Sequence, residues 1–439
     1  MDSFKYYLAI DIGASSGRHI VGWRENGAIC TDEVYRFPNG VKSQEGSLVW
    51  DIEALLSSVK EGIKQAFIKY PQIESIAIDT WAVDYVLLNG DREITPCYAY
   101  RDSRTQAAIP AVHEKIPFET LYKKTGIQFQ PFNTIYQFYS DLLAERLQSA
   151  TDFLMIPEYL SYKLTGVKAH EYTNATTTGL LNANGEYDQE IIAKLGLTAR
   201  LFSAVVPAGT AVGEFTEEIR KEVGGSCKVI FCASHDTASA VEGIPMPEEG
   251  QPYISSGTWS LLGIKVPHMI ADDTSRAGNW SNEGGIGYYR YQKNIMGMWV
   301  VNRLRDELCP NKPFSQIVEE AQSSAFEQTA DINAQAFLSP KSMKEAFDTW
   351  FAEKAEKPRE ERDYFNCAFL SLAHGYRVAV EEMRQKVGRE FTKLYLVGGG
   401  AKNNYLNALT EKICKLKVAA LPIEATALGN LKIQMERSQ

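Results

Sequence analysis

The segment Asp11-Ile-Gly-Ala-Ser-Ser-Gly-Arg18 combines residue types that suit phosphate oxygens. An apolar strand ends at the aspartate. In the tight turn that follows, glycines permit close approach, N–H groups and hydroxyls donate hydrogen bonds, and an arginine supplies charge. The candidate phosphate contacts are Ala14, Ser15, Ser16, Gly17 and Arg18. Asp11 stands where a carboxylate could hold Mg²⁺ through water, because Mg²⁺ keeps part of its hydration shell. A Gly/Ser hairpin with a surface arginine is the alternative, and the segment is neither a Walker loop nor GxGxxG.

A second candidate site is Ser234-His-Asp-Thr-Ala-Ser239. It follows an apolar strand predicted at residues 228–233 and precedes a helical run at residues 237–241. Such a junction presents side chains at the edge of a sheet, next to the positive end of a helix dipole. An aspartate there is also a common N-cap, and His235 could be a packed neutral histidine, so both alternatives stay open for this segment.

Two further segments contain residue types that bind ligands. Asp79-Thr-Trp-Ala-Val-Asp84 and Tyr98-Ala-Tyr-Arg-Asp102 mix aromatic rings with carboxylates and an arginine, which suits a polyhydroxylated ligand. Leu396-Val-Gly-Gly-Gly400, with Asn403 after it, would let a flat ring lie against bare backbone. An edge strand with ordinary surface charges is the alternative for the first pair, and a plain strand-to-helix turn is the alternative for the last.

The elements that must position these residues begin with a predicted β-meander at residues 6–12, 19–24 and 28–37, with Asn26-Gly27 as a hairpin turn. Asp51 is a candidate N-cap for an amphipathic helix, and strands at 73–78 and 83–88 follow. The order β-β-β-α-β is typical of the opening of an actin-like (ribonuclease-H-like) lobe. Another α/β meander is the alternative.

The second half of the chain repeats this pattern. Gly257-Thr258 joins two predicted strands, as the turn after Asp11 does, and a long helix at 363–387 has six candidate core residues. These are Phe365, Phe369, Leu372, Val378, Val380 and Met383. The Pro-, Glu- and Gly-rich segment 243–251 is the best hinge candidate. We therefore predict two domains, residues 1–245 and residues 246–439.

Composition and charge exclude some functional classes. The 439 residues have a formal net charge of −9, and no strongly basic segment argues for nucleic-acid binding. A small anion can still bind through backbone N–H groups. No run approaches the ~18 apolar residues that span a bilayer, and the N-terminus has no signal-peptide pattern. Seven scattered cysteines without CxxC pairs indicate reduced thiols in a cytoplasmic protein, and metal ligation by them is not expected.

Taken together and in order, these segments resemble the FGGY carbohydrate kinase family along almost the whole chain. The matching segments are DIGASSGR at 11–18, RFPNG at 36–40, IDTWAVDYVLL at 78–88, AYRDSRT at 99–105, GIQFQPFNT at 126–134, EYLSYKLTG at 158–166, EYTNATTT at 171–178, ASHDTASAV at 233–241, SSGTWSLLG at 255–263, NEGG at 282–285, KNIMGMW at 293–299, VGGGAKN at 397–403 and EATALGN at 424–430. TWAVD, ASHDTASAV, SSGTWS and KNIMG favour the branch that acts on rhamnulose over the glycerol and xylulose kinases. The resemblance implies an α/β protein of two actin-like lobes, in the superfamily of sugar kinases, heat-shock ATPases and actin, with ATP and sugar in the cleft between the lobes.

The resemblance also implies roles for individual residues. Residues 1–245 would form the sugar-binding lobe with the first phosphate turn, and residues 246–439 would form the nucleotide-binding lobe. The ATP contacts would be Ala14, Ser15, Ser16, Gly17, Arg18, Thr258, Asn302, Gly399 and Gly400. The sugar contacts would be Ala82, His235, Asp236, Thr237 and Asn294, with Asp236 as the base. ATP and Mg²⁺ are the implied cofactors, and sugar and nucleotide are the implied partners, without nucleic acid or membrane.

Three departures from the family pattern affect these expectations. Ala82 stands where related enzymes usually have glycine beside the sugar, so one methyl group enters that wall. Asn302 stands where a glutamine often contacts nucleotide, which weakens that assignment. The sequence ends at Gln439, where family members usually continue, so the nucleotide lobe is expected to be less well covered.

The implied reaction is ATP-dependent phosphorylation of L-rhamnulose to L-rhamnulose 1-phosphate. A kinase for another ketose, such as L-fuculose, would share every phosphate motif and differ only in the residues that face the sugar. A non-enzymatic actin-like sugar sensor would keep the phosphate turns but would need no base. The complete ASHDTASAV segment with Asp236 argues against the sensor.

Overall fold

The computed structural model describes residues 4–246, 250–338, 340–354, 356–421 and 424–437. Up to residue 246 the strands are β1 (Tyr6–Ile12), β2 (Ser16–Glu25), β3 (Ala28–Pro38), β4 (Val41–Gln44), β5 (Ser47–Trp50), β6 (Ile73–Thr80), β7 (Tyr85–Asn89), β8 (Arg92–Ile94), β9 (Cys97–Tyr98), β10 (Asp152–Met155), β11 (His170–Glu171), β12 (Val205–Val206), β13 (Ala211–Glu214) and β14 (Lys228–Ile230). The helices there are α1 (Ile52–Lys69), α2 (Ala108–Lys115), α3 (Phe118–Thr125), α4 (Thr134–Leu143), α5 (Ile156–Thr165), α6 (Tyr172–Ala175), α7 (Gln189–Leu195), α8 (Glu217–Val223) and α9 (Asp236–Gly243).

After residue 250 the strands are β15 (Tyr253–Ser256), β16 (Trp259–Val266), β17 (Ser281–Gly284), β18 (Tyr289–Met296), β19 (Lys393–Val397) and β20 (Lys417–Ala420). The helices are α10 (Asp273–Ala277), α11 (Trp299–Leu308), α12 (Phe314–Gln322), α13 (Gln335–Leu338), α14 (Met343–Trp350), α15 (Glu361–Val387), α16 (Asn404–Cys414) and α17 (Ala425–Arg437). In the described ranges, none of these helices is both long enough and apolar enough to cross a membrane.

The chain divides into two compact units. The first unit contains Met1–Pro245, Val266–Tyr291 and Ala425–Gln439, and the second contains Met246–Lys265 and Gln292–Glu424. The sequence-based division at residue 245 assigned everything after it to a second lobe, and the structure differs in returning two segments to the first unit. Part of the hinge candidate at 243–251, residues 247–249, lies outside the described residues.

The first unit is built on a six-stranded sheet in the order β13-β14-β6-β1-β2-β3. The β1–β2 and β2–β3 pairs are antiparallel, and the β1–β6 and β6–β14 pairs are parallel. Helix α1 provides the crossover from the hairpins to β6. It begins as predicted, because the Asp51 side chain accepts a hydrogen bond from Ala54 N at 2.9 Å.

Both faces of this sheet are covered, so its central strand reads as a nearly continuous apolar run. Leu8 and Ile10 of β1 face one core together with residues of α1, while Tyr7 and Ala9 face the other side and pack against α17. Helices α17 and α9 pack closely through Gly429 and Gly243. A Cβ on Gly429 would lie 1.8 Å from Ser239 O and 2.8 Å from Gly243 N. This close packing explains why α17, the last helix, belongs to the first unit.

A separate core in the first unit lies between β7, β10 and the helices α2, α3, α4 and α7. Its largest buried side chains include Tyr136, Phe138 and Phe153, and the ring of Phe138 stacks on Tyr85 at 4.5 Å. This helical layer supports the β6–β7 connection, residues 81–84, through hydrogen bonds from α4 to Val83 O.

The second unit repeats the strand order of the first. Five neighbouring strands of its six-stranded sheet run in the order β18-β16-β15-β19-β20, in which β15–β16 is antiparallel and β15–β19 and β19–β20 are parallel. Strand β15 therefore corresponds to β1, β16 to β2, and β19 to β6. The predicted repeat of a glycine turn that joins two neighbouring strands is present in both units, and in each unit the structure adds a parallel strand, β6 or β19, beside the hairpin.

Candidate active site

The carboxyl ends of β1 and β6 bring two aspartates side by side. Asp11 is paired in register with Asp79 on β6 and with Arg18 on β2. Arg18 donates from Nη2 and Nε to Asp11 Oδ2 at 2.9 and 3.2 Å. The sequence assigned Asp11 to a hydrated metal and Arg18 to phosphate, and the structure joins the two residues as an ion pair.

The turn after β1 is a compact loop held by Asn39, the residue that follows β3. Gly13 N donates to Ser16 O at 2.9 Å, and Asn39 N donates to Ser15 O at 3.0 Å. The Asn39 side chain also donates to Gly13 O at 2.8 Å. Ala14 and Ser15 form the tip, where Ser15 is exposed. Asn39, which sequence reasoning did not single out, fixes the shape of the candidate phosphate turn.

The two glycines of this turn have different surroundings. A Cβ added to Gly13 would find its nearest neighbour 3.7 Å away, which is ordinary contact. A Cβ added to Gly17 would lie 2.2 Å from the ring of Phe37. Gly17 is therefore required by packing inside the sheet, whereas the space beside Gly13 is open to a ligand.

Asp79 is a buried carboxyl group with one oxygen unused. Its Oδ2 accepts from Asn430 Nδ2 at 2.6 Å, whereas its Oδ1 has no hydrogen-bond donor among the described residues. Burial, and then the negative charge of Asp11, raise the pKa of Asp79 well above the ordinary value for an aspartate. A cation or a donating water at this position would remove an electrostatic cost.

The oxygen ligands at the ends of β1 and β6 fit a hydrated magnesium ion. Mg²⁺ prefers hard oxygen ligands and retains several waters. Within the described ranges no group of three or more His, Cys, Asp or Glu side chains is arranged for direct metal coordination. The carboxylates of Asp11 and Asp79 therefore suit a cation held through its water shell.

Asp236 lies beside the end of β6. Thr80 N donates to Ser234 O at 2.9 Å, and Thr80 forms an isolated bridge with His235. Helix α9 begins at Asp236, with His235 as its N-cap. In the described structure neither side chain caps the helix, and Asp236 Oδ1 accepts from Thr237 Oγ1 at 3.1 Å. The N-cap alternative for Asp236 is not what the structure shows.

His235 lies between two carboxylates. Its Nδ1 is 3.2 Å from Glu283 Oε2, and its Nε2 is 3.4 Å from Asp236 Oδ1. The fully buried Arg290 places Nη2 at 3.1 Å from both Glu283 Oε2 and His235 Nδ1. Glu283 and Arg290 were not candidates from sequence, although NEGG at 282–285 was part of the resemblance.

Glu171 anchors the strand end that carries His235. This fully buried glutamate accepts from Ser234 Oγ at 2.6 Å and from Ser234 N at 3.2 Å. Burial raises its pKa, while the donors from Ser234 and Thr173 oppose that rise. Glu171 thus holds the backbone immediately before His235 and Asp236.

The carboxylates of the third candidate cluster have structural roles. Asp84 is fully buried and accepts from Trp50 Nε1 at 2.6 Å and Trp81 Nε1 at 2.9 Å. Asp102 accepts from Leu48 N at 2.7 Å and caps a 3₁₀ turn that follows it. Both carboxylates are buried and already accept hydrogen bonds from the protein, so neither is placed to bind a sugar hydroxyl. Ala82, in the same cluster, is half-buried.

In the second unit a cavity of about 750 Å³ is lined by four of the nine residues that the resemblance assigned to ATP. They are Thr258, Asn302, Gly399 and Gly400. Trp299 N donates to Thr258 O at 3.1 Å and Met298 N donates to Gly257 O at 3.0 Å, so the start of α11 is bonded to the hairpin turn. This arrangement places Asn302 one helical turn from Met298, on the cavity wall.

The glycines after β19 divide between packing and cavity. A Cβ on Gly400 would lie 2.0 Å from Ser256 Oγ, whereas one on Gly399 would have no heavy atom within 4 Å. Gly399 therefore supplies bare backbone to the cavity. Elsewhere in the second unit, Asn294 on β18 has a buried Oδ1 without a hydrogen-bond partner among the described residues.

Two family descriptions match the chain in sequence. The N-terminal domain of the FGGY family of carbohydrate kinases matches residues 6–243, and its C-terminal domain matches residues 252–436. The protein belongs to the FGGY family of carbohydrate kinases. It is therefore a phosphotransferase enzyme, and ATP is the phosphoryl donor of its family.

Relatives of this FGGY kinase include proteins named rhamnulokinase. That of Halalkalibacterium halodurans is 41% identical over 435 residues, which cover 98% of this chain and 93% of the relative. That of Oceanobacillus iheyensis is 39% identical over 434 residues, covering 98% and 92%. A gluconate kinase structure from Lactobacillus acidophilus superposes with a TM-score of 0.83 at 16% identity, covering 99% of this chain and 90% of that one.

The predicted α/β fold of a two-domain sugar kinase is confirmed by these matches. In this FGGY kinase, the first unit holds one group of predicted site residues: Asp11, Ala14, Ser15, Ser16, Gly17, Arg18, Ala82, His235, Asp236 and Thr237. The second unit holds Thr258, Asn294, Asn302, Gly399 and Gly400. The roles of these residues remain predictions.

Proposed function

We propose that this protein transfers the γ-phosphoryl group of ATP to L-rhamnulose, giving L-rhamnulose 1-phosphate. The observation that carries the proposal is the position of Asp236: a carboxylate at a strand-to-helix junction, one-third exposed, with no helix cap to satisfy. The choice of sugar follows from the names of relatives that are 39–41% identical over 98% of the chain.

In the proposed reaction the first unit binds the ketose. Asp236 accepts the proton of the sugar hydroxyl as the hydroxyl oxygen attacks the γ-phosphorus. The bond from that phosphorus to the β-phosphate oxygen breaks, and ADP leaves. His235, held by Glu283, and Thr237 line the sugar site beside Asp236, and Ala82 forms its wall. Asn294 supplies a further sugar contact through its unsatisfied Oδ1.

The second unit binds the nucleotide in the 750 Å³ cavity. Adenosine lies against the bare backbone at Gly399 and Gly400, Asn302 contacts it from α11, and Thr258 contacts the phosphates. The turn from Ala14 to Arg18 contributes further donors to phosphate oxygens.

Asp11, with Asp79 next to it, would hold Mg²⁺ through water. The ion would neutralise charge on the β- and γ-phosphates, the chemistry that phosphoryl transfer demands most. Arg18 keeps the Asp11 carboxylate oriented through its two hydrogen bonds. The seven free thiols agree with our further proposal that the enzyme works in the reducing cytoplasm.

A coupled assay of ADP release across a panel of ketoses tests the proposal. L-rhamnulose with MgATP should give the highest kcat/KM, and L-fuculose and D-xylulose should be clearly poorer. If L-fuculose or D-xylulose is far better, the assignment of the sugar is wrong while kinase activity stands. If ATP binds but no sugar stimulates ADP release, the sensor alternative replaces the enzyme.

A further inference from the structure

The connection between β6 and β7 contains a backbone conformation that its residue does not favour. Val83 has φ of 69°, in the left-handed region. Among the described residues, the other non-glycine positions with positive φ are Asn26, Glu45, Glu145, Asn279 and Lys415, so Val83 is the β-branched member of the set. A bulky β-branched residue in this region is strained and persists only where its surroundings impose it.

Two side chains of α4 bind the carbonyl oxygen of Val83. Thr134 Oγ1 donates to Val83 O at 2.8 Å, and Gln137 Nε2 donates to the same oxygen at 3.1 Å. Both residues are buried on the first turns of the helix, three positions apart, so they lie on one face. The carbonyl of Val83 is therefore held from two directions.

The orientation of Gln137 is itself determined. Arg104 Nη2 donates to Gln137 Oε1 at 3.1 Å, and an arginine has no acceptor. The amide nitrogen of Gln137 must therefore face Val83 O, and it also donates to Asp84 Oδ1 at 3.0 Å. Arg104 in turn is paired with the buried Asp141 at 2.6 Å, which fixes its own position.

The rest of the connection is fixed in the same way. Trp81 donates from Nε1 to Asp84, and its ring packs on Trp50 at 4.2 Å. Thr80 Oγ1 donates to Trp81 O at 2.8 Å. Of residues 81–84, Trp81, Val83 and Asp84 are buried and Ala82 is only half-buried. Ala82 is thus the least buried residue of a connection whose neighbouring residues are held by hydrogen bonds.

We propose that Thr134 and Gln137 are positioning residues for the sugar: by holding Val83 in the left-handed conformation they hold Ala82 at the sugar wall. This rests on the proposed function only in taking Ala82 as a sugar contact. Thr80 pairs with His235, so the connection starts next to the candidate base. If the connection is already ordered before the sugar binds, less binding free energy is lost in ordering it.

Thr134→Val removes one of the two hydrogen bonds while keeping the shape of the side chain. We expect KM for the ketose to rise about 3- to 10-fold, which corresponds to one hydrogen bond, with kcat and KM for ATP within about twofold of the parent. Thr134→Ser, which retains the hydroxyl, should restore KM. Thr410→Val is the matched control: Thr410 is equally buried, donates to Leu406 O at 2.7 Å and lies in the second unit.

A double-mutant cycle with Val83→Gly separates positioning from simple loss of stability. Glycine adopts the left-handed conformation without strain, so this conformation depends less on the hydrogen bonds from Thr134 and Gln137. Thr134→Val should therefore raise KM by no more than about twofold in the Val83→Gly background, while a structural effect would act equally in both backgrounds. Equal KM changes in both backgrounds, or an unchanged sugar KM in Thr134→Val, would overturn the proposal.

The measurements use whichever ketose of the panel the parent enzyme prefers, so a wrong choice of sugar leaves them valid. Hydrogen exchange of the backbone at residues 81–84 gives a readout without activity. It should be faster in Thr134→Val than in the parent or Thr410→Val at equal thermal stability. Exchange equal to that of the parent would contradict the proposal that Thr134 holds this backbone, even if no ketose were turned over.

Discussion

The two units share one strand order but differ in the residues at the carboxyl ends of their parallel strands. In the first unit, Asp11 lies opposite Asp79 one residue before the carboxyl ends of the parallel strands β1 and β6. In the second unit, the corresponding pair β15 and β19 places Ser255 opposite Val397. The ends of the first sheet are charged, and those of the second are uncharged and followed by glycines.

This difference matches the two tasks of a phosphoryl transfer. The attacking hydroxyl needs a proton acceptor, which a carboxylate can be. The transferred phosphoryl group needs positive charge, which a hydrated cation bound by carboxylates can supply. The adenine base of the nucleotide is a flat neutral ring system, and under the proposed function the open backbone at Gly399 would let it approach closely. A duplicated scaffold can therefore divide the chemistry between its copies by changing a few residues at the strand ends.

The largest expected effect is that of Asp236→Asn, which preserves shape and removes the proton acceptor. We expect turnover to fall by roughly 10²–10⁴, the usual contribution of a positioned base. Equilibrium binding of sugar and ATP should persist, because the other contacts are unchanged. Turnover and binding are measured on the same folded variant. Turnover within a few-fold of the parent would mean that Asp236 only contacts the sugar and that the proton leaves by another route.

A second expected difference between the units concerns pH. His19 on β2 is fully buried opposite Ile10, whereas the corresponding Leu262 on β16 is opposite Ile254. Burial lowers the pKa of His19 to about 4, against a partial rise from the hydrogen bond that Nε2 donates to Val59 O. In the unfolded chain His19 binds a proton near pH 6.5, whereas in the folded protein it stays neutral down to about pH 4. The free energy of unfolding is therefore highest above pH 6.5 and decreases as the pH falls toward 4.

His19→Gln keeps a donor but removes the titration. From the lowered pKa, the parent should lose about 3 kcal/mol more stability than the variant between pH 7 and pH 4. Urea unfolding of both proteins at several pH values measures this, and other titrating groups such as Asp84, whose pKa burial raises to about 6, cancel in the difference. Parallel pH profiles for the two proteins would show that His19 does not titrate in this range.

Strong local patterns predicted the sheets well. The boundaries of β1 agree with the strand predicted at residues 6–12, and the N-cap at Asp51 is present. The strand predicted from Val83 begins instead at Tyr85, because Val83 is turned by hydrogen bonds from residues some fifty positions away. Val378 was predicted in the core of α15 but is 59% exposed. It is two residues from the buried Val380, and on a helix two such positions point in opposite directions.

The candidate site shows the same division. Motifs contiguous in sequence, such as the turn at 11–18 and the junction at 234–239, could be selected as candidates from residue types alone, and their roles stay predictions. Glu283, Arg290 and Gln137 were not, because each acts through contacts with residues far away in sequence. Only the fold could reveal that Asp84 is occupied by buried donors rather than open to a ligand.

The smallest expected effect tests the uncharged strand end. Gly399→Ala adds a methyl group into open space, with no heavy atom within 4 Å, so folding should be unaffected. If adenosine lies against this backbone, the methyl group occupies its space, and KM for ATP should rise about 10-fold or more. KM for the sugar should not change. Gly400→Ala is the contrast, because its Cβ would lie 2.0 Å from Ser256 Oγ and should lower the melting temperature. A Gly399→Ala enzyme with parental affinity for ATP would place the nucleoside elsewhere, and the proposed division of labour between the two strand ends would then lose its second half.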